Sequence, residues 1–405
     1  MPARKTSIGL TVVLAMFVMA TLLTGTRAAA QTETVLYSFN GTASNPDAAP
    51  TRDAAGNLYG TSEQGGIWEL TSHSGDTWME ETLYAIYGDQ YPHSGVVLDA
   101  AGNLYGDTNF GGNTDGVVYE LTAGAGGVWG EDVLYAFNSY APAGLFPSST
   151  LFLDAQGDVY GTTVAGGTST ICNNGCGVVF ELKPASGGGW AYSVLHSFGG
   201  GTGDGSIPLS NLVFDSAGNA YGTTEEGGAH LAGTVYELTP NAGEGWREKV
   251  LHSFGSANDG SMPYGNLIFD AAGNLYGITV SGGAYGDGTA FELTPQAGGA
   301  WKEKILHSFG DSNEDGEGPV GDLVLDAAGN VYGVTGIGGT SRFGIAFKLV
   351  PHADGTWSEE VLHDFGSVTD GEYPMGITID ASGNLYGTAW SGGAYGYGMA
   401  FEIKP

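Results

Sequence analysis

A chain of 405 residues with 12 Lys and Arg against 44 Asp and Glu carries a formal charge of −32, which excludes the basic surface that binding to nucleic acid or anionic lipid requires. Its 72 glycines exceed twice the usual share of about 7%, and because they recur at fixed positions they read as turns, not as a flexible tract. Length alone predicts two or three domains, but internal repetition overrides that expectation, since repeat folds grow by adding units.

Residues 1–30 form the first element. Arg4 and Lys5 precede an apolar run from Ile8 to Leu23, and Ala28, Ala29 and Ala30 then offer small residues for cleavage before Gln31. This order predicts a secretory signal peptide and an exported product. A retained anchor is the weaker alternative, because the run is short for a spanning helix and no later stretch is long and apolar enough to cross a bilayer. The leader holds three of the basic residues and none of the acidic ones, so the remaining chain carries −35. Residues 31–405 are expected to form a single domain.

That domain opens on Thr32-Glu33-Thr34-Val35-Leu36-Tyr37-Ser38-Phe39 and then carries seven copies of the phrase Asp-Ala-x-Gly-Asn-x-Tyr-Gly, from Asp53, Asp99, Asp154, Asp215, Asp270, Asp326 and Asp380, with Asp158 in place of Asn in the third and Ser216 in place of Ala in the fourth. The spacings are 46, 55, 61, 55, 56 and 54 residues. Each unit reads as four strands. In the fifth, 266–270 and 275–279 flank a tight Ala-Ala-Gly-Asn turn, 289–293 follows a glycine-rich loop, and 301–309 closes the unit. Apolar and polar residues alternate along these runs with the period of a strand that has two unlike faces. Four strands repeated at roughly fifty residues predict propeller blades. The opening segment matches the fourth strand of a unit, and the closing Met399-Ala400-Phe401-Glu402-Ile403-Lys404 matches the third. The fold expected is therefore all-β, a closed seven-bladed β-propeller with four antiparallel strands per blade, in which the N-terminal strand completes the last blade and removes the exposed sheet edge.

The Asp-Ala-Ala-Gly-Asn-Leu-Tyr-Gly phrase, the Gly-Gly after it, the Tyr/Phe-Glu-Leu strand and the Val-Leu-His-Ser-Phe strand together resemble the GloVer tandem repeat of exported bacterial proteins over 33–405. The resemblance implies export and a repeat architecture, and it implies no reaction. Many such proteins are said to end in a sorting or anchoring segment; this sequence ends in a repeat strand at Pro405, so it looks freely secreted.

The repeated side chains read as structural. The phrase tyrosines (Tyr59, Tyr105, Tyr160, Tyr221, Tyr276, Tyr332, Tyr386) and the tryptophans that open the fourth strands (Trp78, Trp129, Trp190, Trp246, Trp301, Trp357) are expected to pack between blades. The phrase aspartates are expected to cap their hairpin turns. His196, His252, His307 and His363 occupy one repeated strand position, which argues against catalysis by any one of them.

Function is then expected where blades differ, in loops on a rigid frame. The loops from fourth to first strand share one face with those from second to third strand. Cys172 and Cys176, in a second-to-third loop of the third unit, are expected to form a disulfide in an exported protein, since metal binding needs more ligands than the pair supplies. The fourth unit adds Glu225, Glu226 and His230, the fifth Tyr285 and Asp287, and the seventh Trp390, Tyr395 and Tyr397; rings beside carboxylates suit a sugar. In the fourth-to-first loop of the sixth unit, Asp311, Asn313 and Asp315 alternate as calcium ligands do, with Asp322 further on as a candidate fourth ligand. No nucleophile elbow, His-Glu-x-x-His or phosphate loop occurs. Two readings follow. One is a secreted, monomeric, non-catalytic binding or scaffold propeller for a glycan, an extracellular protein or calcium. The alternative is a carbohydrate-active propeller hydrolase or lyase.

Overall fold

The computed structural model describes residues 32–74, 77–86, 91–111, 114–138, 142–241, 243, 245–366 and 369–404; the expected signal peptide lies outside them. The described residues are all β, with no helix, and hence none long and apolar enough to cross a membrane. Seven four-stranded antiparallel blades form a propeller, each running from an inner strand at the axis to an outer strand at the rim.

Blade 5 shows how the sequence builds one unit. Its strands are Gly260–Phe269, Leu275–Gly282, Thr289–Pro295 and Trp301–Ser308. The first hairpin turns where Asp270 accepts the amides of Ala272 and Asn274 and the Asn274 side-chain amide, all at 2.8 Å, so the phrase aspartate caps the turn as expected. Gly277, in the second strand, is required by the third: a Cβ there would sit 2.5 Å from Phe291 Cζ. In the outer strand a bulge opposite Ala290 and Phe291 turns Leu306 inward, so that both Leu306 and Phe309 are buried.

The inner strand is longer than its apolar pattern implies. The Asp-Gly-x-x-Pro segment at 259–263 supplies its first half: Gly260 pairs with Gly282 and Pro263 with Thr279, and a bulge then carries the strand to Ile268 opposite Tyr276. Gly282 ends the second strand with φ +84° and would bring a Cβ within 2.6 Å of the Asp259 carbonyl, a close approach that only glycine permits. The residue before the proline takes a left-handed conformation in six blades, as Asn45, Phe146, Ile207, Met262, Gly318 and Tyr373. This aims its amide at a carbonyl of the preceding blade; Met262 donates to Ala232 and Ile207 to Cys176.

Blades stack through the repeated aromatics. Tyr105, Tyr221 and Tyr276 meet Trp190, Trp301 and Trp357 of the following blade edge to face at 6.2–6.5 Å. Tyr386 of blade 7 shares a core cluster with Trp78 of blade 1, so the packing continues around the ring. Closure follows the expected route. Thr32–Ser38 pairs antiparallel with Met399–Lys404, Glu33 opposite Ile403 and Tyr37 opposite Ala400.

Candidate functional site

Four groups of His and carboxylate recur between neighbouring outer strands: His196, Asp204 and Glu248; His252, Asp259 and Glu303; His307, Asp315 and Glu359; and His363, Asp370 and Glu33. In each, the histidine comes from one blade, the aspartate from the connection to the next, and the glutamate from the next blade's outer strand. The aspartate is anchored by backbone amides; Asp315 accepts from Gly310, Asp311 and Gly316. Burial pushes Glu248, Glu303 and Glu359 up to about 7, Asp204 and then Asp259 and Asp315 adding to it where His196, His252 and His307 oppose. For His252, burial disfavours the charged form, but the hydrogen bond to Asp259 and the field of Glu303 outweigh it and raise the pKa. These repeated groups are clasps between blades. In blades 7, 1 and 2 the histidine position holds Tyr37, Tyr84 and Tyr135. Tyr84 donates to Glu131 at 2.9 Å, and Tyr135 stacks on Tyr192 at 4.0 Å.

A fifth group breaks the pattern. Asp47, Glu63 and His93 converge at the mouth of the axial channel, on the face that carries the Asp-Gly connections. The channel itself is a cavity of about 580 Å³ walled by all seven inner strands. Asn211, Asn266 and Asp322 line both it and the adjoining space, which borders a cavity of about 330 Å³ lined by Asp47, Glu63, His93, Asn109, Ser148, Val164, Leu209 and Tyr264. His93 Nδ1 lies 2.6 Å from Asp47 Oδ2. That hydrogen bond is the main cause of a raised His93 pKa, against desolvation. Burial and then Asp47 raise Glu63, while His93 and the Trp390 indole hold it back. Beneath the mouth, Asp107 is 1% exposed. Ser94 Oγ donates to its Oδ1 at 2.7 Å, and burial pushes the carboxyl up to about 7 against Ser94 and His93. Blades 1, 3, 4 and 7 carry Thr61, Thr162, Thr223 and Thr388 at this position.

The residues singled out in the sequence scatter around this mouth. Trp390 borders the group through Glu63, and its carbonyl accepts Asn45 Nδ2 at 3.0 Å. Glu225 is half-buried, raised first by burial and then by Glu226, and its charge reaches Tyr264. Glu226 faces elsewhere, into a cavity with Ile171, Cys172 and Leu231. His230 packs over Gly255, and the Asp287 carboxylate over Gly310. Tyr285, Tyr395 and Tyr397 are exposed. Among the described residues, no group of converging His and carboxylates includes Glu225, Glu226, His230 or Asp287.

Asp322 is separated from the other candidate calcium ligands. Asp311, Asp315 and Asp322 do not converge: Asp315 is held in its clasp by His307 and loop amides, whereas Asp322 lines the channel. The inner strand that starts at Gly316 carries Asp322 away from the acidic turn and from Asn313. Cys172 and Cys176 form the expected disulfide. Asp47, Glu63, His93 and Asp107 were not singled out in the sequence. The signal available there was Asp107, a carboxylate where four other blades carry threonine.

The sequence matches the profile of the Gloeobacter/Verrucomicrobia repeat over residues 64–258 and again over 244–405. The chain belongs to this repeat family. No curated protein matches the Gloeobacter/Verrucomicrobia repeat chain in sequence. Solved structures share its fold. Virginiamycin B lyase from Staphylococcus aureus is 12% identical, with 93% of this repeat chain and 99% of the lyase aligned at a TM-score of 0.55. The extracellular domain of the hybrid two-component system BT3049 from B. thetaiotaomicron is 13% identical, with 93% of this chain and 41% of that one aligned at 0.56. YCF48, solved bound to D1 peptide, is 14% identical, with 92% and 94% aligned at 0.51. At these identities the likeness is one of fold, and fold does not transfer function.

Proposed function

We propose that this repeat protein is an exported, monomeric, non-catalytic binding propeller that holds a glycan at the mouth of its axial channel. One observation carries the reading. Asp47, Glu63 and His93 gather where the channel opens, with the Trp390 indole bonded to Glu63 and Tyr264 in the cavity wall, whereas every other such group of His and carboxylates among the described residues repeats as a clasp. Ring faces accept the apolar side of a sugar, and carboxylates and imidazole accept or donate to its hydroxyls. The hydrolase or lyase reading gains nothing from Glu225, Glu226, His230 and Asp287, which do not converge. A glycan array probed with the chain lacking residues 1–30, beside its Trp390→Ala variant, tests the proposal. Binding by the parent that drops at least tenfold in the variant is expected; no glycan bound by the parent refutes it. N-terminal sequencing of the exported protein checks cleavage after Ala30.

A further inference from the structure

We propose that Asp47, Glu63 and His93 hold a divalent cation of the first transition row at the channel mouth. The inference rests on the mouth as a binding site but needs no glycan. One donor atom from each of the three residues lies within 4.8 Å of the others, and they open on a cavity of about 330 Å³ that ions can enter. One unsatisfied oxygen points to a missing ligand. Asn109 Oδ1, in the wall of the same cavity, is buried with no hydrogen-bond partner; its Nδ2 is spent on Ser148 at 2.9 Å. Buried polar atoms are rarely left unpaired in native proteins, and an ion is one of the few things that resolves them.

The clasps contain the same residue types, and there too Glu33, Glu248, Glu303 and Glu359 each leave Oε1 without a partner; the contrast lies in the aspartates. Their aspartates already accept backbone amides, as Asp315 does from Gly310, Asp311 and Gly316, and the Asp315 side chain is only 2% exposed. Asp47 has His93 as its one hydrogen-bond partner among the described residues. Two carboxylates and an imidazole form a mixed donor set. Calcium and magnesium prefer oxygen alone, whereas manganese and zinc accept the imidazole nitrogen. Binding needs that nitrogen unprotonated, so the cation replaces the proton now shared with Asp47.

The test is calorimetric titration of the chelator-stripped chain with Mn²⁺ and with Zn²⁺, without any glycan. The expected result is one equivalent bound, with affinity falling at least tenfold in His93→Ala and unchanged in the clasp variant His307→Ala. Thermal melting of each variant confirms that it is folded. No heat from either metal in the parent overturns the inference, as does a His93→Ala variant that binds like the parent. Because the titration contains no sugar, a negative glycan array leaves its outcome intact, and glycan binding by a chain that takes up no metal refutes the cation alone.

Discussion

Glu33 faces His363 across the junction that closes the ring. The glutamate belongs to the N-terminal strand and the histidine to the outer strand of blade 6, and with Asp370 they complete the same clasp that joins blades 3 to 4, 4 to 5 and 5 to 6. The closing strand is thus a full blade member. It supplies the side chain that blade 7 owes its neighbour as well as the missing fourth ladder.

The clasps make stability depend on pH with a definite sign. Glu303 and Glu359, whose pKa burial raises from 4.5 to about 7, cost the folded state increasingly as pH rises from the lower value through the higher. His252 and His307, raised above 6.5, contribute stability that is complete below that value and lost as pH climbs through the raised one. Asp259 and Asp315, lowered below 3.8, contribute above 3.8 and lose their contribution in stronger acid. Stability therefore peaks between about pH 4 and 6. Urea midpoints at pH 5 and pH 8 check this: the midpoint is expected to be lower at pH 8, and the difference should shrink in the Glu303→Gln, Glu359→Gln double variant, whose amides keep the proton-donating role.

Asp322→Asn is expected to stabilise the protein at pH 8. In neighbouring blades Asn266 Oδ1 accepts the Asn211 amide at 2.9 Å, and Asp322 plays the same part for the Asn266 amide while burial pushes its carboxyl up to about 6. Asparagine keeps the acceptor and removes the ionisation, a gain on the order of 1–2 kcal/mol. The gain should vanish near pH 4, where the aspartate is protonated; equal gains at both pH values would contradict the assignment.

Ile207→Gly is expected to raise the melting temperature. Ile207 is β-branched and sits at φ +59°, a conformation costly for such a side chain, while blade 6 already uses Gly318 at the equivalent place. Relief of about 1–2 kcal/mol is partly offset by the extra freedom of glycine when unfolded. Differential scanning calorimetry reads the balance.

Gly277→Ala is expected to destabilise by about 1–3 kcal/mol, the ordinary cost of overpacking. The new methyl would meet Phe291 Cζ at 2.5 Å and Leu267 Cδ2 at 2.9 Å. Chemical denaturation measures the loss, and Phe291→Leu in the same chain should recover part of it.

These residues also show what the sequence made readable. Seven phrases, an outer strand at the start and a third strand at the end were enough to derive the closed ring, because each is a local pattern repeated. The tyrosine and tryptophan contacts were readable for the same reason. The Glu of each clasp was not, since Glu303 lies two residues after Trp301 on a strand whose partner histidine belongs to the blade before. The length of the inner strand was hidden by its bulge and by Pro263, which breaks the alternating pattern. The mouth was hidden most deeply. Asp47 follows the first stretch of the inner strand of blade 1, Glu63 lies on the second strand of that blade and His93 precedes the inner strand of blade 2, so their approach depends on strand pairing and blade packing, whereas Glu225 and Glu226 stand side by side in the sequence.

Hydrogen exchange with the strongest array glycan bound tests the location of the site most directly. Residues 91–94, 62–64 and 389–391 are expected to exchange more slowly in the complex than in the free protein. Protection confined to 225–231 or 284–288, with the channel mouth unchanged, would contradict the account.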